Sequence, residues 1–519
     1  MSRILLIFPP CAKPCEPPAG IAVLHGTLAE NGISSSILDA NLESLACLLD
    51  LPLHAGSRRT AAALRNRGTN VLALKNGSAF GSIDHYSRIV WELNHAVRCS
   101  GGASRPGLAD YSDASLSPVR SRDLLRQAEE PGRCAHDRYY RENLLSRIEA
   151  EAPQWIGISI TYLSQALPAF ALIGRIRSRF PDMKIAIGGG LVASWMRLKD
   201  WKDPFSGLVD LCVAGPGEEA LLSLFGGKKA HPQVRLPDYS DMPAAGYWSP
   251  AGVLPIAAST GCWWKKCVFC PENAENAPYR SMPVERITDC LKGENVQGTG
   301  LIHFLDNALP PALVKALIEQ PPAAPWYGYI RMTGEWTDPE YCFSARRSGC
   351  VMLKLGLESG DQHVLDRMEK GIRLEDAALV LRNLKKAGIA TYVYLLFGTP
   401  WEDAEKAAHT MDFILRHSGH IDFINAAIFN LPRFSTTAEA LKTKPFYDGD
   451  LSLYADFEHP RGWKRAFVRR FLSREFGRNP AIRNILKNTP PHFTSNHAPF
   501  FLDSMKPAAA RTAVRPTAS

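Results

Sequence analysis

The sequence lacks any apolar run long enough to cross a membrane, although 45% of its 519 residues are hydrophobic. A membrane-spanning helix needs about 20 consecutive apolar residues, whereas the first apolar stretch, Ile4–Phe8, is short and ends at two prolines. These prolines also come too early for the apolar region of a secretory signal peptide. We therefore expect a cytoplasmic protein without a membrane span.

Clustered cysteine pairs of the kind that staple small secreted proteins are also absent. The 12 cysteines are scattered along the chain, which is typical of a protein in a reducing compartment. A length of 519 residues predicts two or three domains with sizeable cores.

Three of the cysteines, Cys262, Cys267 and Cys270, do stand close together, and no fourth follows before Cys290. Thiolates spaced four and two residues apart can surround one small metal cluster. A four-iron cluster held by three thiolates keeps one iron open, and an open iron can bind and activate a substrate. The incomplete ligand set therefore indicates an enzyme.

The same spacing is compatible with two other metal sites. C-x4-C-x2-C with a distant fourth cysteine is the plant-type ferredoxin pattern, which predicts an electron-transfer protein with Cys290 or Cys342 as fourth ligand. A zinc site that includes Cys290 would instead stabilise a binding module, with the basic tail on RNA. The bulky loop residues Trp263 and Trp264 disfavour a ferredoxin, and the single CxxC pair disfavours zinc.

Apolar strands alternate with helices in the first half of the chain, which is typical of a parallel sheet covered on both faces. We predict an α/β fold that begins with a doubly wound parallel sheet in residues 1–240. An insertion at about 45–150 interrupts it, and the Gly-, Ser- and Pro-rich residues 100–118 are interpreted as a loop. The predicted strands are Arg3–Phe8, Ser35–Asp39, Trp155–Ile160, Lys184–Gly188 and Leu208–Ala214.

A second series of six strand–helix units predicts a partial (β/α)6 barrel in residues 251–432. Active residues of such barrels lie at the C-terminal ends of the strands. The cysteine loop falls there, together with Asp306, Arg331, Glu358 and Gly398. We therefore expect one functional site at this rim.

The final segment, 433–519, is predicted to be a basic, mostly helical extension. From Pro460 to Ser519 it carries 12 lysines and arginines against two acidic residues. Its apolar side chains recur at near-helical spacing, so we expect it to pack on the barrel with its arginines outward. No RNA-binding motif accompanies the charge, and nucleic acid is not an expected partner. The apolar side chains are Trp463, Phe467, Phe471, Leu472 and Phe476.

Several motifs together resemble the radical S-adenosylmethionine (SAM) enzymes, in particular the subclass with an N-terminal cobalamin-binding domain. The resemblance covers roughly residues 3–430. The commonest family spacing is C-x3-C-x2-C, and this chain has one residue more in the first gap. The motifs in the second half are Gly261-Cys-Trp-Trp-Lys-Lys-Cys-Val-Phe-Cys, His303-Phe-Leu-Asp-Asn, Gly356-Leu-Glu-Ser-Gly, Lys370-Gly and Leu396-Phe-Gly-Thr-Pro.

This resemblance implies that Cys262, Cys267 and Cys270 ligate a [4Fe–4S] cluster whose fourth iron binds SAM. Reductive cleavage of SAM would yield a 5′-deoxyadenosyl radical that abstracts a substrate hydrogen. The implied SAM contacts are Phe269, Leu396 and Gly398 near the adenine, Asp306 at the methionyl ammonium, and Arg331 and Glu358 at the rim. The alternatives are a core position for Phe269, a helix N-cap for Asp306, a Glu358–Arg331 ion pair and a simple turn at Gly398.

In the first half the resemblance to a cobalamin domain rests on short motifs such as Ile4-Leu-Leu-Ile-Phe-Pro-Pro and Ile187-Gly-Gly-Gly. The Asp-x-His-x-x-Gly signature that supplies a cobalt ligand is absent, so cobalamin would bind without a histidine. A vestigial scaffold is the alternative. The implied contacts lie after strand ends, where ligands bind in such sheets: Ser159, Thr161, Gly188, Gly189 and Gly215.

The cofactors implied are thus a [4Fe–4S] cluster, SAM and cobalamin. A cobalamin-dependent methyltransferase acting on an unactivated carbon is the implied function, with a ring rearrangement or an oxidation as alternatives. The implied partners are an external electron donor such as flavodoxin or ferredoxin and a small-molecule or peptide substrate. The sequence assigns no catalytic residue beyond the cofactor contacts.

Overall fold

A computed structural model describes residues 3–51, 57–102, 104–227, 234–292, 298–489 and 498–505. Two parallel sheets dominate these ranges. None of the described helices is both long and apolar enough to cross a membrane. The basic residues after 505 lie outside the described part of the chain.

The first sheet contains five parallel strands in the order β2-β1-β3-β4-β5. Successive side chains of its first strand enter different cores, because Leu5 and Ile7 pack on one face of the sheet and Ile4 and Leu6 on the other. Both faces are covered, as the doubly wound prediction requires. The strands are β1 (Ile4–Phe8), β2 (Ser35–Asp39), β3 (Trp155–Ser159), β4 (Lys184–Gly188) and β5 (Leu211–Cys212), and the covering helices are Ala19–Glu30, Ala40–Asp50, Leu163–Arg179, Gly190–Met196 and Gly217–Leu224.

The insertion between β2 and β3 is mainly helical. The loop predicted over 100–118 is wrong in part, because Ser104–Pro106 and Tyr111–Asp113 pair as a short antiparallel hairpin. The fifth strand, predicted over 208–214, is limited to its two central residues. The helices of the insertion are Arg58–Lys75, Ile83–Cys99, Ser121–Glu129 and a continuous Asp137–Tyr139, Tyr140–Leu144 and Leu145–Glu151, of which the middle part is π-helical.

The second sheet confirms the partial (β/α)6 barrel, since its six parallel strands are paired in chain order. Leu353 and Leu355 point outward into a core shared with the helices, so the alternate residues Met352 and Lys354 face the bore. The strands are β6 (Gly252–Ile256), β7 (Thr299–Phe304), β8 (Trp326–Ile330), β9 (Cys350–Glu358), β10 (Ala390–Phe397) and β11 (Phe423–Ile428). The helices are Pro271–Ala274, Val284–Cys290, Pro311–Glu319, Pro339–Arg347, Gln362–Arg367, Leu374–Ala387 and Ala404–Arg416.

The C-terminal extension begins with an antiparallel sheet that was not predicted from the sequence. Its strand order is β12-β14-β13. Its helices then pack on the barrel through Trp463, Phe471 and Phe476, as expected, whereas Phe467 is half exposed. The elements are β12 (Leu431–Pro432), β13 (Thr443–Pro445), β14 (Tyr454–Phe457) and the helices Thr436–Ala440, Arg465–Arg474 and Pro480–Lys487. The division into domains at 1–240, 251–432 and 433–519 stays a prediction.

Candidate active site

The three clustered cysteines lie in a loop that follows strand β6 at the C-terminal rim of the barrel. Cys267 is buried, while Cys262 and Cys270 are half-buried. The thiols are close enough to influence one another: burial foremost, with smaller contributions from Cys267 and Cys262, raises the pKa of Cys270 to about 11. The structure therefore brings together the three residues that the spacing selected.

A short segment after helix Gln362–Arg367 holds this loop in place. The indole N–H of Trp264 donates to the Glu369 carbonyl at 3.0 Å, and the Val268 N–H donates to the Met368 carbonyl at 3.2 Å. Gly371, with φ of +64°, lies against the Trp264 ring, where a Cβ atom would be 2.2 Å from the ring. Only a residue without a side chain fits beside this indole.

Two cationic side chains, Arg331 and Lys370, lie beside the cysteine loop. The Arg331 guanidinium is 4.0 Å from the centroid of the Trp264 ring and donates to the Lys370 carbonyl. Burial raises the pKa of the Cys267 thiol, and the charges of Lys370 and Arg331 oppose that rise. These cations would stabilise a thiolate or another anionic group in the loop.

Glu358 pairs with Lys370, whose Nζ is 2.9 Å from Oε1. The alternative of a Glu358–Arg331 ion pair is therefore wrong. Glu358 has a φ of +68°, where the pairing of β9 with β10 shifts register. Non-glycine residues in this region are strained, and such strain concentrates at functional sites. Lys370 belongs to a motif whose residues could not be given a role from the sequence, because a Lys-Gly pair does not indicate where the ammonium lies.

Asp306 is buried, and both of its carboxylate oxygens have partners. Oδ1 accepts from the Ser259 hydroxyl at 2.5 Å, and Oδ2 accepts from the Ala258 N–H at 3.0 Å. The alternative of a helix N-cap is wrong, because the next helix begins at Pro311. Asp306 thus fixes the backbone that leads into the cysteine loop, and its contact with SAM stays a prediction.

The positions expected near the adenine are spread over the same rim. The Phe269 ring centroid lies 5.7 Å from the Lys370 ammonium, and Leu396 is half-buried on the inner face of β10. Gly398, with φ of +82°, is covered by the C-terminal extension, because a Cβ there would lie 3.1 Å from a methyl carbon of Val468. Their contacts with SAM stay predictions.

The five positions expected to contact cobalamin lie at or just after the C-terminal ends of strands β3, β4 and β5, at one edge of the first sheet. Gly189 has a φ of +97°, and a Cβ atom there would lie 2.6 Å from the Ile160 carbonyl oxygen. Local packing therefore already requires this glycine. Thr161 is exposed, and Gly188 accepts a backbone hydrogen bond from Ile160. The cobalamin contacts of Ser159, Thr161, Gly188, Gly189 and Gly215 stay predictions.

Loops from this edge contact the rim of the barrel. The Ser194 hydroxyl, in the helix after β4, donates to Glu275 at 2.8 Å, and Arg197 pairs with the same carboxylate. Glu275 follows the cysteine loop by five residues. In the loop after β1, Glu16 reaches His303 on strand β7. The C-terminal edges of the two sheets, where ligands bind in such folds, therefore face each other.

The side chains around the cysteine loop fit a bound iron–sulfur cluster with an anionic ligand. The buried Nε–H of Arg331 and the indole N–H of Trp263 have no hydrogen-bond acceptor within the described ranges. Cluster sulfur atoms or a carboxylate would supply acceptors there. Across the same ranges, no group of three His, Cys, Asp or Glu side chains is placed to hold a single metal ion.

Part of the chain matches a model of a known protein family. Residues 256–414, which contain the cysteine loop and the four barrel strands β7 to β10, match the model of the Radical SAM superfamily. This part of the chain is thus similar to radical SAM domains, which confirms the resemblance drawn from the motifs. A domain of this class implies a [4Fe–4S] cluster and SAM.

A curated methyltransferase is similar to part of this chain. The chain is 29% identical to bacteriochlorophyllide d C-12(1)-methyltransferase from Chlorobaculum tepidum over 230 residues, which are 38% of this chain and 48% of that protein. The chain therefore spans about half the length of this curated relative.

Two solved structures share the arrangement of both sheets. The cobalamin-dependent SAM radical enzyme OxsB with aqua-cobalamin bound has a TM-score of 0.57 at 12% identity, covering 89% of this chain and 65% of that one. The radical SAM methyltransferase TsrM from Kitasatospora setae, with cobalamin and a [4Fe–4S] cluster bound, has a TM-score of 0.51 at 16% identity, covering 86% and 82%. At these identities the similarity shows the fold.

Proposed function

We propose that this protein cleaves SAM reductively at a [4Fe–4S] cluster held by Cys262, Cys267 and Cys270, and that it methylates an unactivated carbon with the help of cobalamin. One observation carries the proposal: a loop with three thiols and no fourth lies at the rim of a parallel half-barrel. The facing edge of a second parallel sheet offers a place for a second cofactor.

The residues of the site have separable tasks in this proposal. The three thiolates hold the cluster, and Arg331 and Lys370 favour the ionised form of Cys267. Asp306 fixes the entry to the loop, and the packed Trp264 holds the loop to the Glu369 carbonyl. When bound, the cluster supplies the electron for cleavage of the SAM sulfonium, and cobalamin supplies a methyl group.

The wider setting supports a cytoplasmic enzyme that receives electrons from an external donor such as flavodoxin or ferredoxin. The described cysteines form no disulfide bond, which suits a reducing compartment. The substrate would be a small molecule or a peptide that enters the rim between the two sheets.

The test uses full-length protein purified anaerobically and reconstituted with iron and sulfide. We expect about four irons per chain, a corrinoid absorption spectrum after addition of cobalamin, and formation of 5′-deoxyadenosine and S-adenosylhomocysteine from SAM. Cys267→Ala should lose the cluster and SAM cleavage. The matched controls Cys290→Ala and Cys342→Ala should keep both.

The opposite pattern would favour an electron-transfer protein. Iron near two per chain, lost in Cys290→Ala or Cys342→Ala, would indicate a fourth thiolate, and Mössbauer spectra would then show a two-iron cluster. Persistence of SAM cleavage in Cys267→Ala would refute the assignment of the loop.

A further inference from the structure

A buried chain of three ionisable side chains connects the bore of the barrel with the first sheet. Lys354 lies in the middle of strand β9, and its Nζ is 2.9 Å from Nε2 of His303 on β7. Nδ1 of His303 is in turn 2.8 Å from a carboxylate oxygen of Glu16. Lys354 and His303 are buried, whereas about a quarter of the Glu16 side chain is exposed.

The direction of the hydrogen bonds follows from the end groups. An ammonium can only donate, so Lys354 donates to Nε2, and Nδ1 then carries the proton that His303 donates to Glu16. The imidazole lies flat against the Tyr327 ring, with centroids 4.3 Å apart. Burial lowers the pKa of Lys354 to about 7, and burial also lowers that of His303, against the nearby Glu16 carboxylate.

The Lys354 ammonium has N–H groups without a hydrogen-bond acceptor among the described residues. One N–H serves His303, and the ammonium otherwise lies 5.0 Å and 4.9 Å from the ring centroids of Tyr327 and Tyr329. Within the described residues it forms no ion pair with a carboxylate. A buried amine with unused N–H groups is costly unless an acceptor is present.

The bore has a closed side and an open side around this amine. On the closed side, apolar side chains that include Leu301, Met352 and Phe423 form one cluster with Ala498 of the C-terminal segment. On the side of the cysteine loop, the half-buried Tyr394 is 5.2 Å from the Tyr329 ring. The other half-buried or exposed residues on this side are Leu305, Leu396 and Asn425.

We propose that Lys354 is the anchor of the substrate: its ammonium donates to a carboxylate or carbonyl oxygen, while a flat apolar part of the substrate lies against Tyr329 and Tyr394. This inference rests on the proposed function, because it gives a substrate class to the same barrel. His303 and Glu16 are positioning residues that hold the amine toward the bore.

Benzoate and benzamide are suitable probes, since they share a flat ring and differ in the charge of the oxygen-bearing group. We expect the wild-type protein to bind benzoate about tenfold more tightly than benzamide in calorimetric titrations. Lys354→Met should abolish this preference. Lys315→Met, which removes an exposed lysine from helix Pro311–Glu319, should keep it.

A measurement on the wild-type protein guards against a folding defect in Lys354→Met. Formaldehyde with cyanoborohydride methylates uncharged amines, and peptide mass spectrometry reports the modified fraction at each lysine. Benzoate should protect Lys354 and leave Lys315 unchanged, and benzamide should protect neither. Absence of a benzoate preference, its persistence in a folded Lys354→Met, or a Lys354 that is never methylated or never protected would overturn the proposal.

These outcomes are separate from those of the proposed function. Cleavage of SAM by the wild-type protein is measured without any probe. If cleavage fails while benzoate protects Lys354, the site is an anion-binding pocket of a different enzyme. If cleavage succeeds without a benzoate preference, only the anchor is refuted.

Discussion

Gly371 shows how a single missing side chain can shape the cysteine loop. Its backbone lies in the left-handed region, and the Trp264 ring occupies the place of a Cβ atom. Trp264 stands between Cys262 and Cys267 in the chain, so a change at position 371 is transmitted directly to the thiols.

We expect Gly371→Ala to displace Trp264 and to reduce the iron bound after reconstitution by at least about half, because loosely held ligands lose metal affinity. The matched control is Gly462→Ala, since Gly462 has a similar φ of +69° with nothing within 4 Å of a Cβ. Iron content and visible absorption report the result. Equal iron in both variants would mean that the indole does not position the loop.

Glu402 is a second residue whose environment can be tested, through the pH dependence of the unfolding free energy. It is fully buried, and one carboxylate oxygen accepts from the Gly398 N–H and from the Trp463 indole. Burial raises its pKa to about 8, with smaller contributions from Asp403 and Asp361. In the unfolded chain its pKa is near 4.3, so the folded state binds the proton more tightly between these values.

The wild-type protein should therefore lose unfolding free energy, on the order of a few kcal/mol, as the pH rises from 5 to 8. Glu402→Gln does not titrate and should lack this component. Denaturant unfolding of both proteins at several pH values measures the difference. Parallel pH profiles for the two proteins would contradict the protonated state of Glu402.

The sequence predicted site residues to different degrees. The cysteines could be predicted because ligand spacing within one loop is a local property. The partners of Asp306 and Glu358 could not, since they are set by which loops meet at the rim. A charged residue amid the apolar strand Val351–Glu358 was the signal available for Lys354, and the strand pattern alone did not indicate its partners.

At the level of elements, the C-terminal helix Arg465–Arg474 is attached to the barrel by one aromatic side chain above all. Phe471 is buried against Phe397, Phe476 and Trp463, with ring centroids 5.4–6.4 Å apart within this group. Phe467, one turn earlier, is 50% exposed.

We expect Phe471→Ala to cost about 3–5 kcal/mol of unfolding free energy, because it leaves a cavity beside strand β10. Phe467→Ala should change the unfolding free energy by less than about 0.5 kcal/mol. Denaturant unfolding distinguishes the two variants. Similar losses for both would mean that this helix is not held by its buried face.

Most strands and helices of the two parallel sheets were predictable to within a few residues, since apolar strands and amphipathic helices leave periodic patterns. The antiparallel strands β12–β14 were not, because they are only two to four residues long, and β13 and β14 are exposed or half-buried. The hairpin in the insertion was missed for the same reason: its three-residue strands carry too little pattern.

For the whole molecule, the segment Ala498–Met505 links parts that are distant in sequence. Phe500 packs on Phe80 and Tyr86 of the insertion, with ring centroids 5.0 Å and 5.1 Å apart, and Phe501 packs on Phe423 of β11. These contacts were not predicted, because the side chains expected to pack on the barrel all lie earlier in the extension, between Trp463 and Phe476.

Removal of residues 498–519 should lower the melting temperature by several degrees, because these aromatic contacts at the base of the barrel are lost. Removal of residues 506–519 alone deletes none of the described contacts and serves as the control. Thermal unfolding of both truncated chains, monitored by circular dichroism, measures the effect. Equal melting temperatures would contradict a stabilising role for the segment.

The apolar cluster around Ala498 closes one end of the barrel in the described part of the chain. A molecule that reacts near the cysteines would then enter and leave at the opposite end, which is the C-terminal rim that loops of the first sheet contact. The loops of the first sheet that contact this rim, through Ser194 and Glu275, would therefore border the path of both reactant and product.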